Sequence, residues 1–221
     1  MEQDECNILL KNISLEPKTF DIKDISYNRY LLIDTSPTKK TSVVNFLDKQ
    51  LCDKIIDECE LFSYENNGST DGHAYFWTKE NEDGHLDHPT TDLNIRDVTS
   101  LTDIFSELCC RIFDKIKVIY SMSNNIGFKV FNSFVVKYEY NKKNDLEMHT
   151  DGGDITANIL LSDPLDFEEG GTLFEDDGSI YKSGKGGLII HNSNARHSGL
   201  KITKGKRYVL VIFIEVYYLE S

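Results

Sequence analysis

The chain has 221 residues, of which 39% are hydrophobic and 11% aromatic, so it can bury a core and is too apolar to be a disordered chain. No apolar run approaches the roughly 20 residues needed to cross a bilayer, so no membrane partner is expected. The formal charge of −13, with no cluster of lysine or arginine, argues against a nucleic-acid partner.

The beginning of the sequence, residues 1–6, is acidic and lacks the basic and apolar stretches of a secretory signal, which predicts a soluble cytoplasmic protein. The five cysteines include no Cys-x-x-Cys pair and lie mostly within apolar helical patterns. We therefore expect reduced core thiols rather than a disulfide framework. No pattern indicates an oligomeric state.

The first 92 residues predict an extension, a helix and a loop. Residues 1–40 mix short apolar pairs with charges and prolines, which predicts an N-terminal extension that packs on the core. Residues 48–62 predict an amphipathic helix, because apolar residues recur at steps of three and four: Leu51, Ile55, Ile56, Cys59 and Phe62. Residues 64–92, rich in Asn, Asp, Gly, Thr and His, predict a long loop around an aromatic group at residues 75–77.

Residues 97–120 again show helical spacing and predict a second helix. From residue 128 the pattern changes to short runs rich in β-branched and aromatic residues. These runs predict strands at residues 134–138, 156–161, 172–174, 187–190 and 208–216. Helices followed by many short strands favour an α+β fold with a jelly-roll core backed by the N-terminal helices. We divide the chain into the extension, residues 1–40, and one domain, residues 41–221.

Three residues form a candidate metal site. His149 and Asp151 are two residues apart, so in extended backbone their side chains lie on one face and can reach one ion. His197 stands 46 residues after Asp151, beyond an apolar strand pattern and a turn, and supplies a third ligand. Two histidines and one carboxylate leave positions open on the metal, which suits non-haem iron(II), although zinc sites with this ligand set also exist.

Arg207 narrows the choice of chemistry. It follows His197 by ten residues, and a hairpin at the turn-like residues 201–206 would bring it back beside the metal strand. An inward guanidinium among apolar residues would be costly without an anionic partner. A dicarboxylate fits, because the fork of arginine matches a carboxylate plane. Tyr138, at the end of an apolar run, would donate a second hydrogen bond to it.

The order and spacing of five blocks resemble the catalytic domain of procollagen lysyl hydroxylases and the related prolyl 4-hydroxylases. The blocks are FVVKY at 134–138, HTDG at 149–152, TANILL at 156–161, FEEGGTLF at 167–174, and HSGL with GKRY between 197 and 208. An isolated His-x-Asp pair is a weak signal, whereas five ordered blocks are specific. The resemblance covers residues 128–216.

This resemblance implies a double-stranded β-helix and an iron(II)- and 2-oxoglutarate-dependent dioxygenase. It implies catalytic iron ligation by His149, Asp151 and His197 and contacts to 2-oxoglutarate from Tyr138, Asn158 and Arg207. The implied reaction uses O2, converts 2-oxoglutarate to succinate and hydroxylates a prolyl or lysyl residue in a protein or peptide, with ascorbate as a further candidate cofactor. Lys201 stands where the family usually has proline, no third glycine follows Gly170 and Gly171, and no secretory signal is present. These departures argue against collagen as the substrate.

Several residues have alternative interpretations. His191 competes with His197 as third ligand, but it ends an apolar strand and is expected to be a packed histidine. Two histidines at positions 85 and 88, with aspartates at 83 and 87, are expected to be solvated rather than a second metal site. The aromatic group at 75–77 is either a substrate lid or a satellite core. Asn158 would equally suit a backbone pairing role inside the barrel.

Two other functions compete with protein hydroxylation. A dioxygenase of this kind could act on a free amino acid or another small metabolite, and the long loop at 64–92 favours a peptide instead. A non-catalytic jelly-roll binding module would carry a damaged ligand position, and none is damaged. A halogenase would need a small residue in place of Asp151.

Overall fold

The computed structural model describes residues 39–65, 77 and 90–219 of the chain. Its two α-helices are α1 (Lys49–Glu65) and α2 (Thr102–Ile119). Short 3-10 turns lie at Ile95–Asp97, Thr99–Leu101 and Pro164–Asp166. The strands are β1 (Lys40–Val43), β2 (Asp92–Asn94), β3 (Ile126–Glu139), β4 (Leu146–His149), β5 (Ile155–Leu160), β6 (Phe167–Glu169), β7 (Thr172–Phe174), β8 (Ile180–Tyr181), β9 (Leu188–Asn192), β10 (His197–Gly199) and β11 (Ile202–Tyr218).

These strands form two antiparallel sheets. The larger sheet has the order β1-β9-β5-β11-β3-β2, with β6 paired to the beginning of β11. The smaller sheet has the order β4-β10-β7-β8. The described part of the chain is therefore mostly β with two helices, and neither helix is both long and apolar enough to span a membrane.

Both helices contribute to the core on one face of the larger sheet. Alternate residues of β11 (Leu210, Ile212 and Ile214) join this core, as do Ile55 of α1 and Ile112 of α2. Burying each such side chain contributes about 1.5–3 kcal/mol, so this layer is a major source of stability. The intervening residues of β11 point to the opposite face of the sheet, where the polar residues of the candidate site lie.

The two predicted helices are confirmed with shifted ends. Asp48 caps α1, since its Oδ1 accepts a hydrogen bond of 2.8 Å from the backbone N–H of Gln50. The second helix begins later than predicted, because residues 95–101 form 3-10 turns, the first of which is held by Asn94 accepting from the N–H of Arg96. The five predicted strands are present, and the unpredicted strands have only two to four residues, too few to show alternation.

The hairpin predicted at residues 201–206 is wrong. β11 begins at Ile202 and runs through this segment, pairing with β6. The turn-like composition reflects a local bend at Gly205, which has φ 74° and lies against the backbone carbonyl of Asp166, so a side chain would not fit there.

Two further expectations concern the cysteines and the N-terminal extension. Cys52, Cys59 and Cys109 are free and buried, as predicted, whereas Cys110, also predicted to be a reduced core thiol, is disulfide-bonded. β1 begins at Lys40 and pairs with β9, so this strand crosses the predicted domain boundary. Residues 1–38, the rest of the predicted extension, lie outside the described residues.

Candidate active site

The structure brings His149, Asp151 and His197 together. His149 ends β4 and His197 begins β10, and the two are register partners in the smaller sheet. Asp151 follows β4, and its backbone N–H donates to the carbonyl of Ser193 over 2.9 Å. His149 Nε2 lies 3.3 Å from Asp151 Oδ1, and His197 Nε2 lies 3.5 Å from Asp151 Oδ2. The three possible ligand atoms all lie within 4.8 Å of one another.

Backbone carbonyls set the orientation of both imidazole rings. His149 Nδ1 lies 2.7 Å from the carbonyl oxygen of Glu147, and His197 Nδ1 lies 2.9 Å from that of Ala195. A carbonyl can only accept, so each Nδ1 carries a proton, and in the neutral ring the lone pair is therefore on Nε2. Metal-binding histidines are commonly oriented in this way, by a hydrogen bond from the ring nitrogen that does not face the metal.

Asp151 is ionised although its side chain is only 4% exposed. Burial alone would raise its pKa, but the hydrogen bond with His149, the nearby His197 and His191, and a hydrogen bond from Thr156 lower the pKa to about 2. A buried carboxylate beside two imidazole Nε2 atoms is a donor set for a divalent cation, which would take the place of a proton on Nε2. The fit to iron(II) is therefore good.

His191 lies next to this group but outside it. The residue is fully buried, and its Nε2 is 3.8 Å from Asp151 Oδ2. Its Nδ1 lies 2.9 Å from the carbonyl oxygen of Asn192, and its Nε2 lies 3.3 Å from Asn158 Nδ2, which donates to it. Burial lowers the pKa of His191 to about 4, so the ring is neutral. The structure places it as a packed, hydrogen-bonded histidine, as the sequence suggested.

Arg207 and Tyr138 form a second polar group. They are register partners on β11 and β3, and the guanidinium carbon lies 5.1 Å from the centre of the tyrosine ring. Tyr138 accepts a hydrogen bond from Arg207, and burial raises its pKa. Among the residues that the structure describes, no carboxylate pairs with Arg207, which is only 7% exposed. A ligand carboxylate would compensate this buried cation.

Gly199 makes room for the tyrosine hydroxyl. A Cβ at this position of β10 would lie 2.6 Å from Tyr138 Oη, so a larger residue would push the tyrosine away. The strand that carries His197 therefore also shapes the surroundings of Arg207.

One cavity of about 430 Å³ is lined by both polar groups. Its walls include apolar side chains of β3 and β11, among them Phe134, Val209 and Phe213. Asn158 also lines the cavity, and its Oδ1 is buried without a hydrogen-bond partner in the described part of the chain. A buried unpaired oxygen of this kind is expected where a ligand or water completes the site.

Sequence reasoning missed three residues here. Phe131 lines the cavity although it is 51% exposed, and Thr156 and Ser193 lie beside Asp151. The alternation of β5 could have identified Thr156, since it shares a face with Asn158 two residues later. Ser193 lies in a turn after β9, and no periodic signal points to it.

Trp77 lies on the helix side of the larger sheet, away from the cavity. It packs against the main core, and its ring centre lies 5.9 Å from that of Tyr208 in an edge-on arrangement. For Trp77 the satellite-core interpretation therefore holds and the lid interpretation is wrong. The other two aromatics of that group, and the histidines at 85 and 88, lie outside the described residues.

The site consists of two histidines and one carboxylate beside a buried arginine, and we compared the chain that carries it with known proteins. No family model matches the chain. Procollagen-lysine,2-oxoglutarate 5-dioxygenase 2 of Homo sapiens is 26% identical over 172 residues, which are 76% of this chain and 22% of that protein. A procollagen lysyl hydroxylase and glycosyltransferase of Acanthamoeba polyphaga mimivirus is 38% identical over 96 residues, covering 41% of this chain and 11% of that protein.

Among solved structures, the viral collagen prolyl hydroxylase of Paramecium Bursaria Chlorella virus-1, in its 2OG complex, aligns with a TM-score of 0.52. The identity is 17%, and the alignment covers 81% of this chain and 97% of that one, which shows a shared fold. The resemblance seen in the sequence is thus confirmed: the chain is similar to the procollagen-lysine 2-oxoglutarate dioxygenases, and it shares the fold of a viral collagen prolyl hydroxylase. It spans only 22% of the curated human relative.

Proposed function

We propose that this protein is an iron(II)- and 2-oxoglutarate-dependent dioxygenase that hydroxylates a prolyl or lysyl residue in a protein or peptide. The observation that carries the proposal is that a His-Asp-His group and a buried arginine line the same cavity. The lysine dioxygenase and prolyl hydroxylase among its relatives support the substrate class. In this proposal the two sheets are the two halves of a jelly roll, and residues 41–221 form the catalytic domain.

Three residues would hold the iron. His149 and His197 present Nε2 lone pairs because their Nδ1 protons are committed to backbone carbonyls. Asp151 would supply an ionised oxygen, and its negative charge would partly neutralise the cation. No other group of three possible ligands occurs among the described residues.

Arg207 would bind the distal carboxylate of 2-oxoglutarate. The guanidinium remains charged although burial lowers its pKa, since its ordinary value lies far above neutrality. Tyr138, kept protonated because burial raises its pKa, would donate to the same carboxylate. Asn158 would contact the ligand between this anchor and the metal.

When bound, iron(II) and 2-oxoglutarate would supply O2 activation, with release of succinate and CO2 and insertion of one oxygen atom into a substrate C–H bond. The share of the protein is to position and to shield. Apolar side chains of β3 and β11 line the cavity and exclude water from it. Phe131, half-exposed beside Gly152, would meet the substrate at the cavity rim.

The proposal is tested by succinate release from 2-oxoglutarate after anaerobic iron(II) loading and exposure to air, with and without ascorbate. We expect succinate from the wild type, none from His149→Ala, and a raised 2-oxoglutarate requirement in Arg207→Met. Arg111→Met is the matched control, because Arg111 lies on α2, its guanidinium donates to the backbone carbonyl of Phe46, and it does not line the cavity. No succinate from an iron-loaded, folded wild type would contradict the proposal.

Mass spectrometry of proline- and lysine-containing peptides after turnover then tests the substrate class. A gain of one oxygen on a prolyl or lysyl residue is the expected outcome. Turnover of a free amino acid, with no oxidised peptide, would replace the peptide substrate by a small metabolite.

A further inference from the structure

Two buried hydroxyl groups lie beside the Asp151 carboxylate. Thr156, on β5, is fully buried, and its Oγ1 donates a hydrogen bond of 2.7 Å to Asp151 Oδ2. Ser193, in the turn after β9, is 1% exposed, and its Oγ lies 3.0 Å from Thr156 Oγ1. The three side chains connect three separate segments of the fold.

Chemistry fixes the direction of these hydrogen bonds. An ionised carboxylate can only accept, so the single hydroxyl proton of Thr156 must point to Asp151. The contact between the two hydroxyls then requires Ser193 to donate to the free lone pair of Thr156. The order of donation runs from Ser193 to Thr156 to Asp151, and in such a chain each donor strengthens the next one.

Backbone hydrogen bonds hold the two segments around the Asp151 side chain together. The N–H of Asp151 donates to the carbonyl of Ser193 over 2.9 Å, and the N–H of Ser193 donates to the carbonyl of Asp154 over 3.0 Å. These bonds hold the loop after β4 against the turn after β9. They do not reach the carboxylate itself, which contacts the rings of His149 and His197 and accepts a hydrogen bond from the hydroxyl of Thr156.

We infer that Thr156 and Ser193 are positioning residues, forming a relay that holds the Asp151 carboxylate in its metal-binding orientation. The inference rests on the proposed function in so far as Asp151 is a metal ligand. Removing outer-shell partners of metal ligands typically lowers metal affinity by about 10- to 100-fold. If the two hydroxyls had only a structural role and merely satisfied one another, removing either would lower the stability of the metal-free protein and leave its metal affinity unchanged.

The test is titration of the metal-free protein with Co(II), which binds iron sites of this type and reports its ligand environment by visible absorption. Thr156→Val keeps the shape of the side chain and removes only the hydroxyl. We expect a loss of Co(II) affinity of about 10-fold or more and an altered spectrum. Ser193→Ala leaves Thr156 bound to Asp151, so a smaller loss of about 2- to 10-fold is expected.

Two control variants separate positioning from stability. Thr156→Ser retains the hydroxyl and should restore Co(II) affinity and the wild-type spectrum even where stability falls. Ser162→Ala removes another buried hydroxyl, which accepts from the N–H of Tyr208 over 2.7 Å outside the cavity lining. It should lower the thermal midpoint and leave Co(II) affinity unchanged.

Wild-type Co(II) affinity and spectrum in Thr156→Val would overturn the relay, whatever the stability of the variant. Should Thr156→Val fail to fold, Ser193→Ala decides, and unchanged Co(II) affinity there would overturn the relay equally. The titration contains no 2-oxoglutarate, so failure to release succinate would count against the proposed function and not against this inference.

Discussion

The two faces of the larger sheet are formed by the same strands, but their side chains have different roles. On the helix side, β11 contributes Leu210 and Ile212, both fully buried in an aliphatic core. On the cavity side, the same strand contributes Arg207, a buried cation without a carboxylate partner among the described residues. The alternation of β11 therefore separates side chains that stabilise the core from a buried charge for which we propose a ligand-binding role.

The helix side is not entirely apolar. Glu60 of α1 accepts hydrogen bonds of 2.6 Å from Lys137 and from Tyr208, the chain neighbours of Tyr138 and Arg207. On this face Glu60 is paired with Lys137 within the protein, whereas on the cavity face Arg207 has no carboxylate partner among the described residues.

The largest effect is expected from replacing Arg207 on the cavity face. Arg207→Met should weaken 2-oxoglutarate binding by about 100-fold or more, since losing a partner of a buried charge pair costs about 2–5 kcal/mol. The same change should leave the free energy of unfolding of the ligand-free protein unchanged or raise it by about 1–4 kcal/mol, because it removes a buried charge. Isothermal titration and urea unfolding measure the two effects. A marked loss of stability of the ligand-free variant would show that Arg207 stabilises the fold and would contradict this prediction.

Ile212 tests the opposite face. Ile212→Ala should lower the free energy of unfolding by about 2–5 kcal/mol, because it leaves a cavity in the helix-side core. Affinity for Co(II) and 2-oxoglutarate should stay at the wild-type level below the unfolding transition. Val211→Ala is the matched control on the cavity face, where the side chain is only half-buried and a smaller loss of stability is expected. Equal losses from the two variants would remove the distinction between the faces.

The smallest expected effect concerns Glu60. Burial would raise its pKa, but the hydrogen bonds from Lys137 and Tyr208 lower it below the ordinary value of 4.5. A lowered folded pKa means that the ionised form stabilises the fold above the unfolded pKa, and this contribution is lost as pH falls through the folded pKa. The stability difference between wild type and Glu60→Gln should therefore be full at neutral pH and shrink below pH 4.5. Urea unfolding over a pH series measures it, and a pH-independent difference would contradict the assignment.

Much of the site could be predicted because its signals are local. The His149-Thr150-Asp151 pattern places two ligands on one side of the chain, and alternation in β11 gives the inward direction of Arg207. The helices were predictable from their spacing, since an amphipathic face follows from burial on one side.

The rest depends on contacts between distant segments. Residues 201–206 have the composition of a turn, yet pairing with β6 makes them the beginning of β11. Ser193 reaches Thr156 only after β9 and β5 have paired. The placement of Trp77 on the helix side likewise depends on tertiary packing, which its local sequence does not encode.

We propose that the His-Asp-His group and Arg207 together bind one 2-oxo dicarboxylate. The most direct test is an anaerobic titration of iron(II)-loaded protein with 2-oxoglutarate, followed by visible absorption, since chelation of iron(II) by a 2-oxo acid produces a charge-transfer band. We expect this band in the wild type, its absence in His149→Ala, and its appearance only at much higher 2-oxoglutarate concentration in Arg207→Met. A folded, iron-loaded wild type that shows no band at any 2-oxoglutarate concentration would contradict the proposal.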